Sequence, residues 1–136
     1  MYRFHNLFIY IFINNSGKVY IIFMTNKPKQ IKFELEDDSN MQAFLQSKKY
    51  EFSKTIAQFL CWALENNIDS FIFAEAEILH AKSGYVEILK LGCKRDEYLD
   101  ALQKQLKNLI EFEEYEMCPK IQEWIDYLEI EEKVKK

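Results

Sequence analysis

One amphipathic stretch limits the folds open to this chain more than any other feature. It runs from Ser53 to Asn66, and its apolar residues recur at helical spacing. At about 100° per residue they fall on one stripe, which Phe52 extends backwards. Strand-like runs flank the stretch on both sides, so we expect a helix whose stripe lies against a sheet. The stripe consists of Ile56, Phe59, Leu60, Ala63 and Leu64.

The sequence also predicts the positions of three further residues of this helix. Ser53 is placed to cap the start of the helix. Cys61 falls opposite the stripe, beside Lys54, Gln58 and Glu65. Trp62 lies at the border of the stripe, where an indole ring either anchors a partner or covers the rim of the core.

Runs of alternating residues predict the sheet. Residues 31–36, IKFELE, alternate between apolar and charged side chains, as in a half-buried strand. Ser39 and Gln42 form a capping-box pattern that starts a short helix before the main one. FIFAEAEILH and YVEILKL then predict two strands joined by residues 81–84. Strict alternation places Phe71, Phe73, Glu75, Glu77 and Leu79 on one face of the first of these strands. Residues 24–94 are therefore predicted to form a β-α-β-β core.

Residues 1–23 leave three interpretations open. The segment consists mostly of Phe, Ile, Tyr, Asn and Lys, and Met24 follows it, so it can be a leader outside the true protein, with synthesis starting at Met24. It can form a β-hairpin of residues 7–13 and 18–23 across an Asn-Asn-Ser-Gly turn. A targeting segment is the third interpretation, although the apolar run is short and no cleavage pattern follows it. A membrane span is not expected, because residues 14–18 interrupt the apolar run.

Composition narrows the class of protein. The 136 residues are 49% hydrophobic and contain only three Gly and two Pro, which favours one folded domain over a disordered chain. The three cysteines form no C-x-x-C pair, so neither a disulfide framework nor a zinc knuckle is predicted, and a reducing cytoplasm fits best. Residues 95–129 hold ten acidic and four basic side chains. Direct binding to nucleic acid is therefore not expected.

No catalytic residue, metal site or cofactor is predicted. Glu75, Glu77 and Glu87 would form a carboxylate-based hydrolase site if they shared one face, since paired carboxylates bind a divalent cation or act as acid and base. The sequence supplies no further group for such a site. His80 and Cys93 near the strand ends are interpreted as structural.

The C-terminal part of the chain predicts two amphipathic helices. Residues 95–130 contain two apolar stripes separated by the acidic turn EFEEYE, a pattern typical of an antiparallel helical hairpin. The first stripe is Leu99, Leu102, Leu106, Leu109 and Ile110, and the second is Tyr115, Cys118, Ile121, Ile125 and Leu128. Residues 131–136 form a charged tail. The predicted fold is thus α+β: a small antiparallel sheet packed on a central helix, followed by this hairpin.

Residues 106–128, LKNLIEFEEYEMCPKIQEWIDYL, resemble the UVR motif, the helical hairpin of the excision-repair damage-recognition helicase and its nuclease partner. The shared features are the leucine-spaced first helix, the turn Glu114-Tyr115-Glu116, Cys118 and the later apolar positions. The second helix departs from the family, which has two small residues and an Arg-Asp-Glu run where this chain has Cys118-Pro119 and Gln122-Glu123-Trp124.

The resemblance implies a pairing module, because hairpins of that family dock onto a like hairpin. Tyr115, Trp124 and Tyr127, together with Trp62, are the predicted partner-binding residues. The main hypothesis is a non-enzymatic interaction or regulatory accessory protein that binds a protein partner or itself. The alternative is a nucleic-acid-associated accessory module linked to DNA repair or a nuclease. In size and composition the chain also resembles small accessory proteins of bacteriophages and mobile elements. A hairpin that packs only on its own domain is equally compatible with the pattern.

Overall fold

Two three-stranded sheets and four α-helices make up the part of the chain that the computed structural model describes. The description covers the backbone of residues 2–4, 7–13, 19–25, 27–36 and 41–135, and the side chains from residue 27 onward within those ranges. The first sheet is antiparallel and contains β1 (Tyr2–Phe4), β2 (Leu7–Ile13) and β3 (Val19–Thr25) in that order. The pairing of β2 with β3 matches the hairpin interpretation, although its turn lies outside the described residues. The start of synthesis at Met24 stays a prediction.

The second sheet is mixed. It contains β4 (Ile31–Glu36), β5 (Ser70–His80) and β6 (Tyr85–Lys94), with β5 in the centre. β6 runs antiparallel to β5, but β4 runs parallel to it, so the prediction of a wholly antiparallel sheet is wrong. The connection from β4 to β5 contains two helices and is long enough for the crossover that a parallel pair requires.

Two helices form that crossover. α1 (Met41–Ser47) and α2 (Lys49–Glu65) are separated by Lys48. Ser53 lies inside α2 and is buried, so it does not cap the helix as predicted. The capping residue predicted for α1, Ser39, lies outside the described residues. α2 ends where the sequence indicated: Asn67 adopts a left-handed φ of 54°, and the Ile68 amide donates to the Ala63 carbonyl at 2.8 Å.

α2 is covered on two sides, although the sequence indicated only one apolar stripe. Its first side packs on the sheet, where the Phe59 and Phe71 rings stack at 5.3 Å. A 3₁₀ turn (Arg95–Glu97) leads from β6 into α3 (Tyr98–Glu111), and α4 (Cys118–Lys135) folds back along it. These two helices cover the other side of α2. Cys61, which the sequence placed opposite the predicted stripe, is therefore only 5% exposed. The predicted α+β class with a central helix and a C-terminal helical hairpin is confirmed.

A β-bulge in β5 changes which side chains face α2. Ile72 is paired with Gly92 and Ala74 with Leu91, so Phe73 is the extra residue. Phe71 and Phe73 consequently lie on the helix side, together with Ala74, Ala76 and Ile78, whereas strict alternation placed them with Glu75 and Glu77. Gly92 is required at this point, because a Cβ there would lie 2.4 Å from the Phe71 carbonyl oxygen.

Candidate interaction surface

The inner faces of α3 and α4 belong to the main core. Their buried residues form one hydrophobic cluster with α2 and β5, and include Tyr98, Leu102, Leu109, Ile121, Ile125 and Leu128. The hairpin therefore packs on its own domain, and its apolar seam is already occupied. Any partner of the hairpin must contact its outward surface.

The contact between α2 and α3 contains a small polar cluster as well as apolar side chains. The Asn108 side-chain amide donates to Ser53 Oγ at 3.0 Å and to Gln105 Oε1 at 3.5 Å, and all three residues are buried. At the other end of α3, the Tyr98 hydroxyl donates to the Ile68 carbonyl at 2.7 Å. These bonds fix how α3 is rotated relative to α2.

Three apolar residues cover the side of α4 that points away from the core. Tyr127, Ile130 and Val134 are 53%, 63% and 79% exposed. Their spacing of three and four residues puts them on one face, opposite the buried face of Ile121 and Leu128. We call these three residues the α4 stripe. An exposed helix face is ordinarily polar, so this stripe is the unusual feature of the hairpin surface.

Trp124 connects the α4 stripe to the core. Its ring lies edge-on to that of Tyr127, with centroids 5.6 Å apart and planes at 89°. Trp124 is half-buried and packs against the hydrophobic cluster, whereas Tyr127 is exposed. Two predicted partner-binding residues are therefore adjacent, one half-buried against the core and one accessible, which suits an aromatic anchor.

The other two predicted residues lie elsewhere. Tyr115 is 59% exposed and belongs to the connection between α3 and α4, so it is not part of the buried stripe predicted for the second helix. Trp62 lies on α2, edge-on to Phe59, and the Lys27 ammonium lies 5.9 Å from its ring centre. Among the described aromatic rings, neither contacts Trp124 or Tyr127. Of the four predicted residues, only Trp124 and Tyr127 are joined by a ring contact in the described part of the chain.

The connection between the two helices explains a further difference from the predicted stripes. Glu113 adopts a left-handed φ of 59°, and the Glu114 amide donates to the Leu109 carbonyl at 2.8 Å, which ends α3. Tyr50 donates its hydroxyl hydrogen to Glu114 and packs edge-on against Phe112. Ile110, which the sequence placed in the first buried stripe, is 49% exposed at this end.

The strand glutamates do not come together. Glu75 and Glu77 extend from the face of the sheet opposite α2, whereas Glu87 is paired with Ile78 and lies on the helix side. Glu87 Oε2 is 3.1 Å from His80 Nε2, so these two side chains pair with each other. In the described part of the chain, no three His, Cys, Asp or Glu side chains are grouped to hold a metal ion.

The cysteine environments disfavour thiolate chemistry. Burial raises the pKa of Cys61 from an ordinary 9.0 to about 11, a change that the nearby Lys120 opposes. Burial, followed by the charges of Glu97 and Asp96, raises the pKa of Cys93 to about 11. Both thiols are therefore protonated at neutral pH, and a protonated thiol is a poor nucleophile and a poor metal ligand.

An opening of about 600 Å³ lies where the end of α4 meets the 3₁₀ turn. Its lining is mostly charged, and Arg95 Nη2 lies 3.3 Å from Glu131 Oε2 across it. Arg95 and Lys135, which both line the opening, are each paired with Glu131. Leu99 and Leu128 are the apolar residues of this lining, and its arrangement points to no particular ligand.

Comparison of the chain with known protein families, characterised proteins and solved structures gives no match. No helix in the described part of the chain combines the length and hydrophobicity needed to span a bilayer. The α4 stripe therefore has to be interpreted from its own geometry. Ile130 and Val134 were missed at the sequence level because the second predicted stripe ended at Leu128. The signal that identifies them is their spacing from Tyr127.

Proposed function

We propose that this protein is a non-enzymatic interaction or regulatory accessory protein that binds a protein partner through the outward surface of its helical hairpin. The observation that carries the proposal is the α4 stripe, an apolar face directed away from a core that is already complete. A helix face of this kind fits a groove or a second helix, with residues three and four positions apart as the contacts.

The surroundings of the stripe agree with a protein partner. Polar and charged residues such as Asp126 and Lys133 flank it, which gives an apolar centre with a charged rim. Trp124 supplies a fixed aromatic surface at one side. The end of α3 and the connection before α4 carry Glu111, Glu113, Glu114 and Glu116, which would repel a phosphate backbone, so direct contact with nucleic acid is not proposed.

The test compares two variants with the same change in net charge. Ile130→Glu combined with Val134→Glu adds two negative charges on the stripe, and Lys104→Glu changes the charge equally on the exposed side of α3. Tagged full-length chains would be used to capture proteins from extracts of the source cells, with identification by mass spectrometry. We expect a protein that wild type and Lys104→Glu retain and that the stripe variant loses.

Direct binding then checks the captured protein. Trp62→Phe leaves Trp124 as the single tryptophan, so a change in its emission on titration reports contact beside the stripe. Circular dichroism establishes that the variants fold. Retention of the same proteins by the stripe variant would contradict the proposal, and so would a Trp124 emission that stays constant while the complex forms.

A further inference from the structure

The exposed face of α4 has the spacing of a helix that pairs with another helix. Glu123, Tyr127, Ile130 and Val134 follow one another at intervals of four, three and four residues, which places all four on one seam. All four are exposed, and they lie on the opposite side of the helix from the buried Ile125. The α4 stripe therefore continues as a seam of four positions that begins with a glutamate.

Two charges of opposite sign flank this seam on the same side. Asp126 immediately precedes Tyr127 and Lys133 immediately precedes Val134, so the two charges are one heptad apart on one flank. Both side chains are exposed. Asp126 accepts a hydrogen bond from the Gln122 side-chain amide at 2.9 Å, and this neutral donor leaves the charge of the carboxylate in place.

We propose that the α4 stripe pairs antiparallel with the α4 stripe of a second copy of this chain, with Asp126 of each copy beside Lys133 of the other. The inference rests on the proposed function, since it names the partner of the same surface. In an antiparallel pair about a two-fold axis, each flank of one helix faces the same flank of its partner. The two ion pairs therefore form together. The bodies of the two copies lie on opposite sides of the helix pair, because the buried side of α4 points away from the seam.

Charge selects one register among those that the seam allows. With the axis between Tyr127 and Ile130, each Tyr127 packs against the partner's Ile130, and each Val134 packs against the aliphatic part of the partner's Glu123. This register brings the opposite charges of the flank together. An axis half a heptad nearer the C-terminus would set Lys133 beside the partner's Lys133. An axis half a heptad nearer the N-terminus would set Asp126 beside the partner's Asp126, and like charges repel.

The same pattern opposes a parallel pair. Parallel helices bring equivalent seam positions together, so Glu123 would lie against the partner's Glu123 inside the contact. On the flanks, Asp126 would face the partner's Glu131, which is a second contact between carboxylates. The order of charges along α4, acidic beside Tyr127 and basic beside Val134, is thus complementary to its own reverse. This self-complementarity favours a second copy of α4 over an unrelated helix.

The experiment exchanges these charges in the full-length chain and measures its mass by sedimentation equilibrium. For wild type we expect the mass to rise from 16.4 kDa toward twice that value between about 10 µM and 1 mM, because a contact between two single helices is small. Asp126→Lys and Lys133→Asp each bring like charges together at both ends of the contact and should raise the dissociation constant at least about tenfold. Lys104→Asp makes the same change in net charge as Lys133→Asp on the exposed side of α3 and should leave the dissociation constant unchanged.

Two combinations of the single changes test the antiparallel register. The double variant, Asp126→Lys with Lys133→Asp, has opposite charges at both contacts and should recover the wild-type dissociation constant. An equimolar mixture of the two single variants should associate as a mixed dimer, because one variant carries only basic and the other only acidic side chains at positions 126 and 133. Circular dichroism establishes that each variant folds.

A wild-type chain that stays monomeric up to about 1 mM would overturn the inference. It would also be overturned if neither combination regained association, if Lys104→Asp weakened the dimer equally, or if the Ile130→Glu and Val134→Glu variant still formed the dimer. The two proposals fail separately. A monomeric wild type that captures a different protein through the α4 stripe would contradict the self-pairing and leave the proposed function in place.

Discussion

The integration of the hairpin into the core can be tested with one helix and one type of substitution. Ile121 and Ile130 both lie on α4, nine residues apart, and they are 0% and 63% exposed. Ile→Ala removes three carbon atoms, each worth about 0.8 kcal/mol when buried. At Ile121 this predicts about 2.4 kcal/mol from transfer alone, and about 3 to 4 kcal/mol once the cavity that remains is included.

Ile130→Ala is the control because it deletes the same atoms from the solvent side. Alanine has the higher helix propensity at both positions, so that contribution cancels in the comparison. We expect Ile130→Ala to change the free energy of unfolding by less than about 0.5 kcal/mol in either direction. The difference between the two variants therefore isolates burial.

Urea denaturation followed by circular dichroism at 222 nm and by tryptophan fluorescence would measure both quantities. With Trp62 in α2 and Trp124 in α4, single-tryptophan variants report on the centre and the hairpin separately. A single core predicts coincident transitions. Equal costs for the two alanine variants would refute the reasoning. Loss of the Trp124 signal at a lower urea concentration, with the Trp62 transition unchanged, would show that the hairpin is a separate unit.

Three further outcomes follow from the buried groups and the helix connection. Asn108→Ala should cost about 1 to 3 kcal/mol in urea denaturation, because it leaves Ser53 Oγ without its buried donor, and combining it with Ser53→Ala should cost less than the sum of the two single changes. The pKa of Cys61 is raised from 9.0 to about 11, so the folded state favours the protonated thiol. Its contribution to the free energy of unfolding is complete below pH 9 and should fall by about 2 to 3 kcal/mol as the pH rises to about 11. Cys61→Ala should reduce this loss in the same titration. Glu113→Gly should increase the free energy of unfolding by about 0.5 to 1 kcal/mol and so raise the midpoint temperature of thermal unfolding, because glycine adopts the left-handed φ of 59° without strain. A lower midpoint would contradict this account of the turn.

Local periodicity predicted the elements of this fold well. The bounds of β4 agree with the alternating run, and α2 ends at the Asn-Asn pair. The periodicity of apolar residues depends only on residues close together in the sequence, and such local spacing largely determines where these two elements begin and end. Where a single residue changes the phase, as Phe73 does in β5, a strict period of two assigns both Phe71 and Phe73 to the wrong face.

Long-range packing accounts for the remaining differences. The sequence identified one apolar stripe on α2 and left Cys61 outside it, because no local signal states that two more helices cover the second side. The direction of β4 relative to β5 depends likewise on the path of the crossover, which the alternation within either strand does not encode. The outward position of Ile130 and Val134 follows only once the buried face of α4 has been assigned.

The outward direction of the α4 stripe ultimately depends on the polar cluster in the core. Apolar helix faces tolerate small rotations, but a rotation of α3 by one residue, about 100°, would move Asn108 away from Ser53 and leave both buried without a partner. That penalty holds α3 in one orientation on α2. Because α4 packs against both helices through Ile121, Ile125 and Leu128, its orientation is fixed in turn, and Tyr127, Ile130 and Val134 must face away from the core. Loss of the cluster in Asn108→Ala should therefore weaken binding through the stripe as well as stability.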